Sequence, residues 1–380
     1  MTDLKAATNQ HLDEVLRATV SRKQIRHAVM AVESGDRSWQ WAGASGHANG
    51  VPVTADQPFY IASIDKLYNA TIALRLSEDG VLDLDAPITS YLPTGLVGGL
   101  HTMAGDDHTG RITIRHLLSH ASGLPDWLED APKGQPPLVE TIIEEGDREI
   151  SVEEIITHVR QRLKPHFPPR DLAANSLKIR YSDTNYILLS SIIEAVTGRP
   201  LLETHERLII KPLNLRHTYF TGRSEPMDPA PAPTPLRAEG ETLHIPLLLR
   251  SINSIYSTAV DAIAFLRHLM QGDVFQNPET LESMQARWTR FGFPTDRAAL
   301  RAPNWPIEYG LGIKRFRLPR LLAPRKPMPP VVGHTGSTGC WLFYCPARDL
   351  YFSGSVDEVT AGAVPYRIVP RMLSSLGRQP

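Results

Sequence analysis

Residues 59–68 read Phe59-Tyr60-Ile61-Ala62-Ser63-Ile64-Asp65-Lys66-Leu67-Tyr68, and the reading of the whole chain turns on them. The stretch is a short strand end running into a helix, with Ser63 at the helix start and Lys66 one turn later. Positions three apart share a helix face, so the Lys66 ammonium can reach the Ser63 hydroxyl. A serine hydroxyl is a weak nucleophile until a neighbour takes its proton, and a lysine of lowered pKa can do so. The helix N-terminus adds backbone N–H groups aimed at developing negative charge. No other Ser-x-x-Lys occurs in the 380 residues. Alone, these four residues read more simply as an N-capping serine followed by an exposed lysine. The decision comes from further along the chain.

Outward from this stretch, residues 9–20 space Leu12, Val15, Leu16 and Val20 as an amphipathic helix. His27 to Val32 and Ser38 to Gly46 alternate around Gly35-Asp36, a hairpin signal. A third strand through Pro58-Phe59-Tyr60 leads into the Ser63 helix, which stops at Gly80. From Leu82 to Phe220 the pattern is helical and loop-rich, with helix starts at Thr113 and Ser151 and an apolar helix over Ile187 to Val196. Pro226, Pro229, Pro231, Pro233 and Pro235 mark an extended loop or a return between domains. A helix over Ser257 to Met270, a strand within Trp305 to Phe316, strands at 331–334, 339–345 and 350–356, and a helix over 364–376 complete the chain. The expected fold is α/β (α+β): an antiparallel sheet built from both termini and flanked by helices, with an inserted helical domain. Residues 1–85 and 240–380 would form the sheet domain and 86–239 the helical one.

Two motifs follow Ser63 in order: Tyr181-Ser182-Asp183 before an apolar helix, and His334-Thr335-Gly336-Ser337 opening a β pair. A phenolate is favoured beside an ammonium, so Tyr181 near Lys66 can act as a base. A strand end of small residues lets backbone N–H groups approach a bound carbonyl as part of an oxyanion hole. On these residues the chain resembles the serine hydrolases of the class C β-lactamase and D-Ala-D-Ala carboxypeptidase superfamily, which also holds D-aminopeptidases, esterases and transacylases. Its signatures Ser-x-x-Lys, Tyr-x-Asn and Lys/His-Thr-Gly correspond to Ser63–Lys66, Tyr181–Asp183 and His334–Gly336. The segments 112–125, Ser257-Thr258-Ala259 and Tyr309-Gly310-Leu311-Gly312 agree as well. The resemblance implies that Ser63 carries an acyl group and that Lys66 and Tyr181 share proton transfer, either one as the base. It further implies that the N–H groups of Ser63 and Ser337 hold the oxyanion. His334 would line the site and Thr335 would hold a substrate carboxylate or carbonyl.

The chain departs from that pattern in places. Asp183 stands where asparagine is usual, turning an amide donor toward substrate into an acceptor. His334 replaces the lysine of typical β-lactamases, as in the peptidase and esterase branch. Pro168-Pro169 with extra loop, and Ser251 to Tyr256, suggest a reshaped pocket wall.

Other readings were weighed and set aside. His116 and His120 lie four apart on a helix, but Leu117 stands where a metalloprotease needs glutamate, so packing is expected. The segment His101 to His108 reads as a solvated loop overhanging the site. Tyr60, Tyr68, Trp127 and Trp305 suit an acyl pocket or the core equally. No Gly-x-Ser-x-Gly elbow and no phosphate loop occur. With 42% hydrophobic and 21% charged residues, the chain has an ordinary globular composition. A net charge of -1 argues against a nucleic-acid or anionic-membrane partner. Cys340 and Cys345 form neither a redox nor a zinc motif. A polar start without an apolar leader points to the cytoplasm.

The expectation is therefore a serine hydrolase without metal or cofactor, cleaving an ester or amide of a small molecule through an acyl-enzyme. A transacylase, a D-amino-acid peptidase or D,D-carboxypeptidase, and a non-catalytic binding relative are the alternatives. Oligomeric state is not legible.

Overall fold

A computed structural model describes residues 2–21, 24–301, 303–318 and 328–376. Helix α1 is Thr2–Val20. The principal strands are β1 (His27–Ser34), β2 (Gln40–Ala48), β3 (Lys314–Phe316), β4 (Val331–Thr335), β5 (Trp341–Cys345) and β6 (Leu350–Ser355). They lie side by side as β3-β4-β5-β6-β1-β2 in one nine-stranded antiparallel sheet. Short strands at Thr289–Arg290 and Glu308–Tyr309 extend it beyond β3, and Val51–Pro52 extends it beyond β2. The expected hairpin over 27–46 forms, with Met30 opposite Gly43. β6 pairs with β1, Met30 opposite Gly354, and this joins the two ends of the chain into one sheet.

Residues alternate between the faces of a strand, and here both faces are covered. Met30, Val32, Phe343 and Phe352 pack with Leu12 and Leu16 of α1 and with Ile368 and Met372 of the last helix, α5 (Pro365–Ser375). Val29, Ala31, Leu342 and Tyr351 pack the other way, with Phe265, Leu266 and Leu269 of α4 (Ala259–Gln271). A buried Arg267–Glu33 ion pair at 2.8 Å ties α4 to β1.

Helix α2 (Asp65–Glu78) lies deep in the second core: Leu67, Tyr68, Ala70, Ile72 and Ala73 are all fully buried. Residues 66–74 are buried without a break, the polar Lys66, Asn69 and Thr71 included, so α2 is fixed by neighbours all round. One neighbour is α3 (Asp183–Thr197), whose Leu188, Leu189, Ile192 and Ile193 join the same core. Among the described residues no helix is long and apolar enough to cross a membrane.

Three local expectations need correction. Ser63 does not open the α-helix: it sits on a separate 3-10 turn, Ala62–Ile64, and α2 begins at Asp65. Phe59–Tyr60 is a strand, but of a small sheet with Ile255–Ser257 and Tyr219–Phe220 rather than of the main one. The segment Trp305 to Phe316 holds two strands, not one, because the backbone turns at Gly310–Ile313 between Glu308–Tyr309 and β3.

Candidate active site

The 3-10 turn bearing Ser63 is held in an unusual backbone shape. Ala62 has φ +45°, a left-handed conformation costly for a residue with a Cβ. The Ile64 N–H bonds back to the Ile61 carbonyl, and the Ile61 N–H bonds to Ile255 of the small sheet. Ser63 is half-buried at the tip, and Lys66, one turn on, donates to its Oγ at 3.1 Å.

Lys66 does not end there. Its Nζ lies 2.8 Å from Asp183 Oδ1 and 3.8 Å from Asp65 Oδ1. Burial pulls the ammonium down, but Asp183, Tyr181 and Asp65 together hold it well above the ordinary lysine value. Lys66 is thus favoured as a cation by its carboxylate partners and donates to Ser63. The same ion pair corrects the expectation for Asp183: its carboxylate points at Lys66 instead of replacing an amide donor toward substrate. The Asp183 N–H is taken by buried Asp126 at 2.7 Å, which fixes the first turn of α3. Asn185, two residues on, does not stand in for the missing amide. It is buried, accepting from Ser122 Oγ at 2.6 Å and lying 3.1 Å from His120 Nδ1.

Tyr181 immediately precedes α3, its side chain buried with the ring 5.5 Å from Lys66 Nζ. The phenol faces Ser63 and Lys66, but no formed hydrogen bond reaches its hydroxyl. Catalytic hydrogen bonds are often long without substrate. Burial pushes the phenol well above the ordinary tyrosine value, Lys66 opposing and Asp183 adding to the rise. His120 lies under the Tyr181 ring at 4.3 Å between centroids. It was expected to pack, and what it packs against is this tyrosine.

The end of β4 closes the site. A Cβ on Gly336 would lie 2.6 Å from Ala62 Cβ and 2.4 Å from Cys340 Sγ, so only glycine lets β4 come this close to the Ser63 turn. Ser337, next along, is exposed. Among the described residues, no carbonyl accepts from the Ser63 or the Ser337 N–H. Both donors are free for an oxyanion, the requirement for such a hole.

His334 and Thr335 are placed differently from expectation. His334 is fully buried behind the site rather than lining it. Its Nδ1 donates to the Thr335 carbonyl at 2.9 Å, and its Nε2 accepts from Tyr309 at 3.0 Å. Burial, then Lys314 and Lys66, push it well below the ordinary histidine value, so it is neutral. Thr335 faces inward as well, its Oγ1 3.0 Å from Tyr366 and accepting from Lys314 Nζ at 3.0 Å. Sequence reading missed Lys314 and Asp65. Lys314 sits on β3 opposite Gly333, and the strand register that brings it in leaves no local motif. Asp65 stood inside the quoted stretch, with nothing to mark it except adjacency to Lys66.

The remaining residues weighed from sequence fall outside the centre. His116 completes a capping box with Thr113 and reaches Arg170 O at 2.8 Å. His101 is buried against Phe167 O at 2.9 Å, and the loop that follows it is a small hairpin. Tyr68 and Trp127 are core, Trp305 stacks on exposed Phe293, and Tyr60 alone of the four aromatics faces Asp65 and Lys66. Among the described residues no cluster of histidine, cysteine or carboxylate side chains is built to hold a metal.

Comparison with known proteins agrees with this architecture. The D-alanyl-D-alanine-carboxypeptidase/endopeptidase AmpH of Escherichia coli K12 is 23% identical over 323 residues, covering 83% of this chain and 74% of AmpH. Esterase EstB of Burkholderia gladioli is 28% identical over 221 residues, 57% of this chain and 52% of EstB, so the match spans about half of that relative. A D-stereospecific amidohydrolase from a Streptomyces species shares the fold with a TM-score of 0.71, at 24% identity over 98% of this chain and 99% of that one. The family model described as Beta-lactamase matches residues 12–357, nearly the whole chain, and the chain belongs to the β-lactamase family of serine hydrolase folds.

Proposed function

We propose that this protein hydrolyses an ester or amide bond of a small molecule through an acyl-enzyme on Ser63. The observation that carries the reading is the Ser63 hydroxyl itself, 3.1 Å from a carboxylate-paired Lys66 and faced by the Tyr181 phenol on a strained turn. In this reading Tyr181 first gives up its own proton, and Ser63 Oγ then attacks the carbonyl carbon as the serine proton passes to the Tyr181 phenolate. The Lys66 ammonium steadies the nascent alkoxide, and the Ser63 and Ser337 N–H groups hold the oxyanion. Tyr181 returns the proton to the leaving group, and water repeats the steps to free the acid. With Lys66 paired to Asp183, the base is Tyr181 and not the lysine. The esterase and carboxypeptidase named among the relatives support an ester or amide substrate.

The test is hydrolysis of p-nitrophenyl esters together with labelling by a fluorophosphonate. Ser63→Ala is expected to abolish labelling and lower kcat/KM by about 1,000-fold or more; Tyr181→Phe should lower kcat/KM and keep the fold. Full activity in Ser63→Ala would remove the assignment. Acyl transfer to an added amine or alcohol that outruns hydrolysis would instead mark a transacylase using the same residues.

A further inference from the structure

The Tyr181 ring is approached by two amines, Lys66 Nζ at 5.5 Å and Lys314 Nζ at 5.2 Å from its centroid. They differ in what else they touch. Lys66 is paired with Asp183 and stands beside Asp65, so once Asp65 ionises the trio carries a net negative charge. Such a trio does not favour a phenolate next to it. Lys314 is 2% exposed, and among the described residues it pairs with no carboxylate. Its Nζ donates only to Thr335, to Oγ1 at 3.0 Å and to the carbonyl at 3.3 Å. A buried amine without a counter-ion is rare unless it is used.

Resting on the reading that Tyr181 is the base for Ser63, we infer that Lys314 is the residue that makes Tyr181 basic. The two side chains hold one exchangeable proton between them, as phenol plus amine at rest and as phenolate plus ammonium when Tyr181 acts. No hydrogen bond joins Tyr181 Oη to Lys314 Nζ among the described residues, so the phenol gives its proton to solvent and the amine takes one up; the Ser63 proton then moves to Tyr181 Oη, and Tyr181 passes it to the leaving group. The electron pair of the Ser63 Oγ–H bond becomes the new Oγ–C bond, the leaving group departs with its own pair, and the proton released to solvent by Tyr181 equals the one Lys314 takes up. Lys314 touches no reacting atom and is a positioning residue.

The surroundings fit a shared proton. Lys314 is faced by Tyr181 and Asp183 from the start of α3, by Lys66 from α2, by His334 and Cys340 around β4 and β5, and by His120. His334 and His120 are held neutral by burial, so they compete for no proton at neutral pH. Burial, and then the Lys66 charge, push Lys314 well below the ordinary lysine value. Such coupled groups titrate as a pair.

One positive charge about 5 Å from a phenolate, at an effective dielectric of about 20, is worth roughly two pK units, or about 100-fold. The experiment measures kcat/KM for a neutral p-nitrophenyl ester against pH in the wild type, Lys314→Met and Lys314→Gln. In the wild type the rate should rise with pH well below the ordinary lysine value of about 10.5. Both variants should lose about 100-fold at pH 7.5, with the rise displaced upward by about two pH units. Gln keeps a hydrogen bond to Thr335, so it decides the matter even if the Met variant fails to fold. A Gln variant with wild-type rate, or with lowered rate on an unmoved profile, would overturn the inference and leave Ser63 as nucleophile. Wild-type activity in Ser63→Ala would sink the underlying reading instead, whatever Lys314 does.

Discussion

Lys66 stands between two carboxylates at different distances. Asp183 makes the close pair at 2.8 Å, whereas Asp65 lies 3.8 Å away. Burial pushes Asp65 up to about 6, with Lys66 opposing and Asp183 adding to the rise. Its folded-state value thus exceeds the ordinary value of about 4. The stability linked to protonated Asp65 is full below about pH 4 and is lost as pH rises through about 6. Asp65→Asn removes that loss, so the variant should gain on the wild type between pH 4 and pH 7. The gain at pH 7 should be about 1 kcal/mol, below the full linkage value because the side chain keeps some contact with water. Thermal unfolding at the two pH values checks this, and an equal shift at both would deny Asp65 the role. In kcat/KM, a step near pH 6 present in the wild type should be missing from the variant.

At the scale of elements, the centre depends on how closely β4 meets the Ser63 turn. Gly336→Ala would set a methyl 2.6 Å from Ala62 Cβ and 3.1 Å from the Ile61 carbonyl, groups that move only with the backbone. Strand and turn must separate, and Ser337, the next residue, shifts with the strand end away from the Ser63 turn. The expected result is a loss of about 1–3 kcal/mol in stability. On the proposal that the Ser337 N–H is an oxyanion donor, its displacement should lower kcat by about 100-fold. If the variant kept full kcat, the strand end would have no part in holding the transition state. The same contact shows why some elements were legible and others were not. The hairpin at β1–β2 is marked by the turn residues Gly35-Asp36, and the three strands at the C-terminal end are short, largely apolar runs buried along nearly all their length, so local pattern sufficed. The 3-10 turn at Ala62–Ile64 was read as α-helix because its geometry comes from contacts with Ile255 and β4, which sequence spacing does not encode. Glu308–Tyr309 and β3 merged into one strand for a similar reason. Gly312 turns there at φ +76°, where a Cβ would lie 2.0 Å from Ala70 of α2, a long-range demand.

Across the whole molecule, Ser63, Lys66 and Tyr181 were legible because spacing and residue type announce them. Lys314 was not, since only the pairing of β3 with β4 brings it beside Thr335 and Tyr181. The sheet, closed from both ends of the chain, carries an apolar layer on each face. Its outer face is covered by α1 and α5, where Leu12 is fully buried among Met30, Val32 and Met372. Ser63 and Lys66 lie just before and at the start of α2, beside the other core, while Tyr181 belongs to the same apolar cluster as Leu12. Leu12→Ala removes three methylene-sized groups from a closed layer and leaves a cavity, a change that costs about 2–5 kcal/mol. Leu12 belongs to a different apolar cluster from α2, which carries Lys66, so the folded fraction should keep its chemistry. Thermal unfolding should show a lowered midpoint, while kcat per fluorophosphonate-titrated site stays at the wild-type value. A Leu12→Ala enzyme that unfolds at the wild-type temperature would mean α1 contributes little to closing the sheet. One whose kcat per titrated site falls would mean strain in the outer layer reaches Ser63 through β1 and β6, and the two faces would then have to be treated as one mechanical unit.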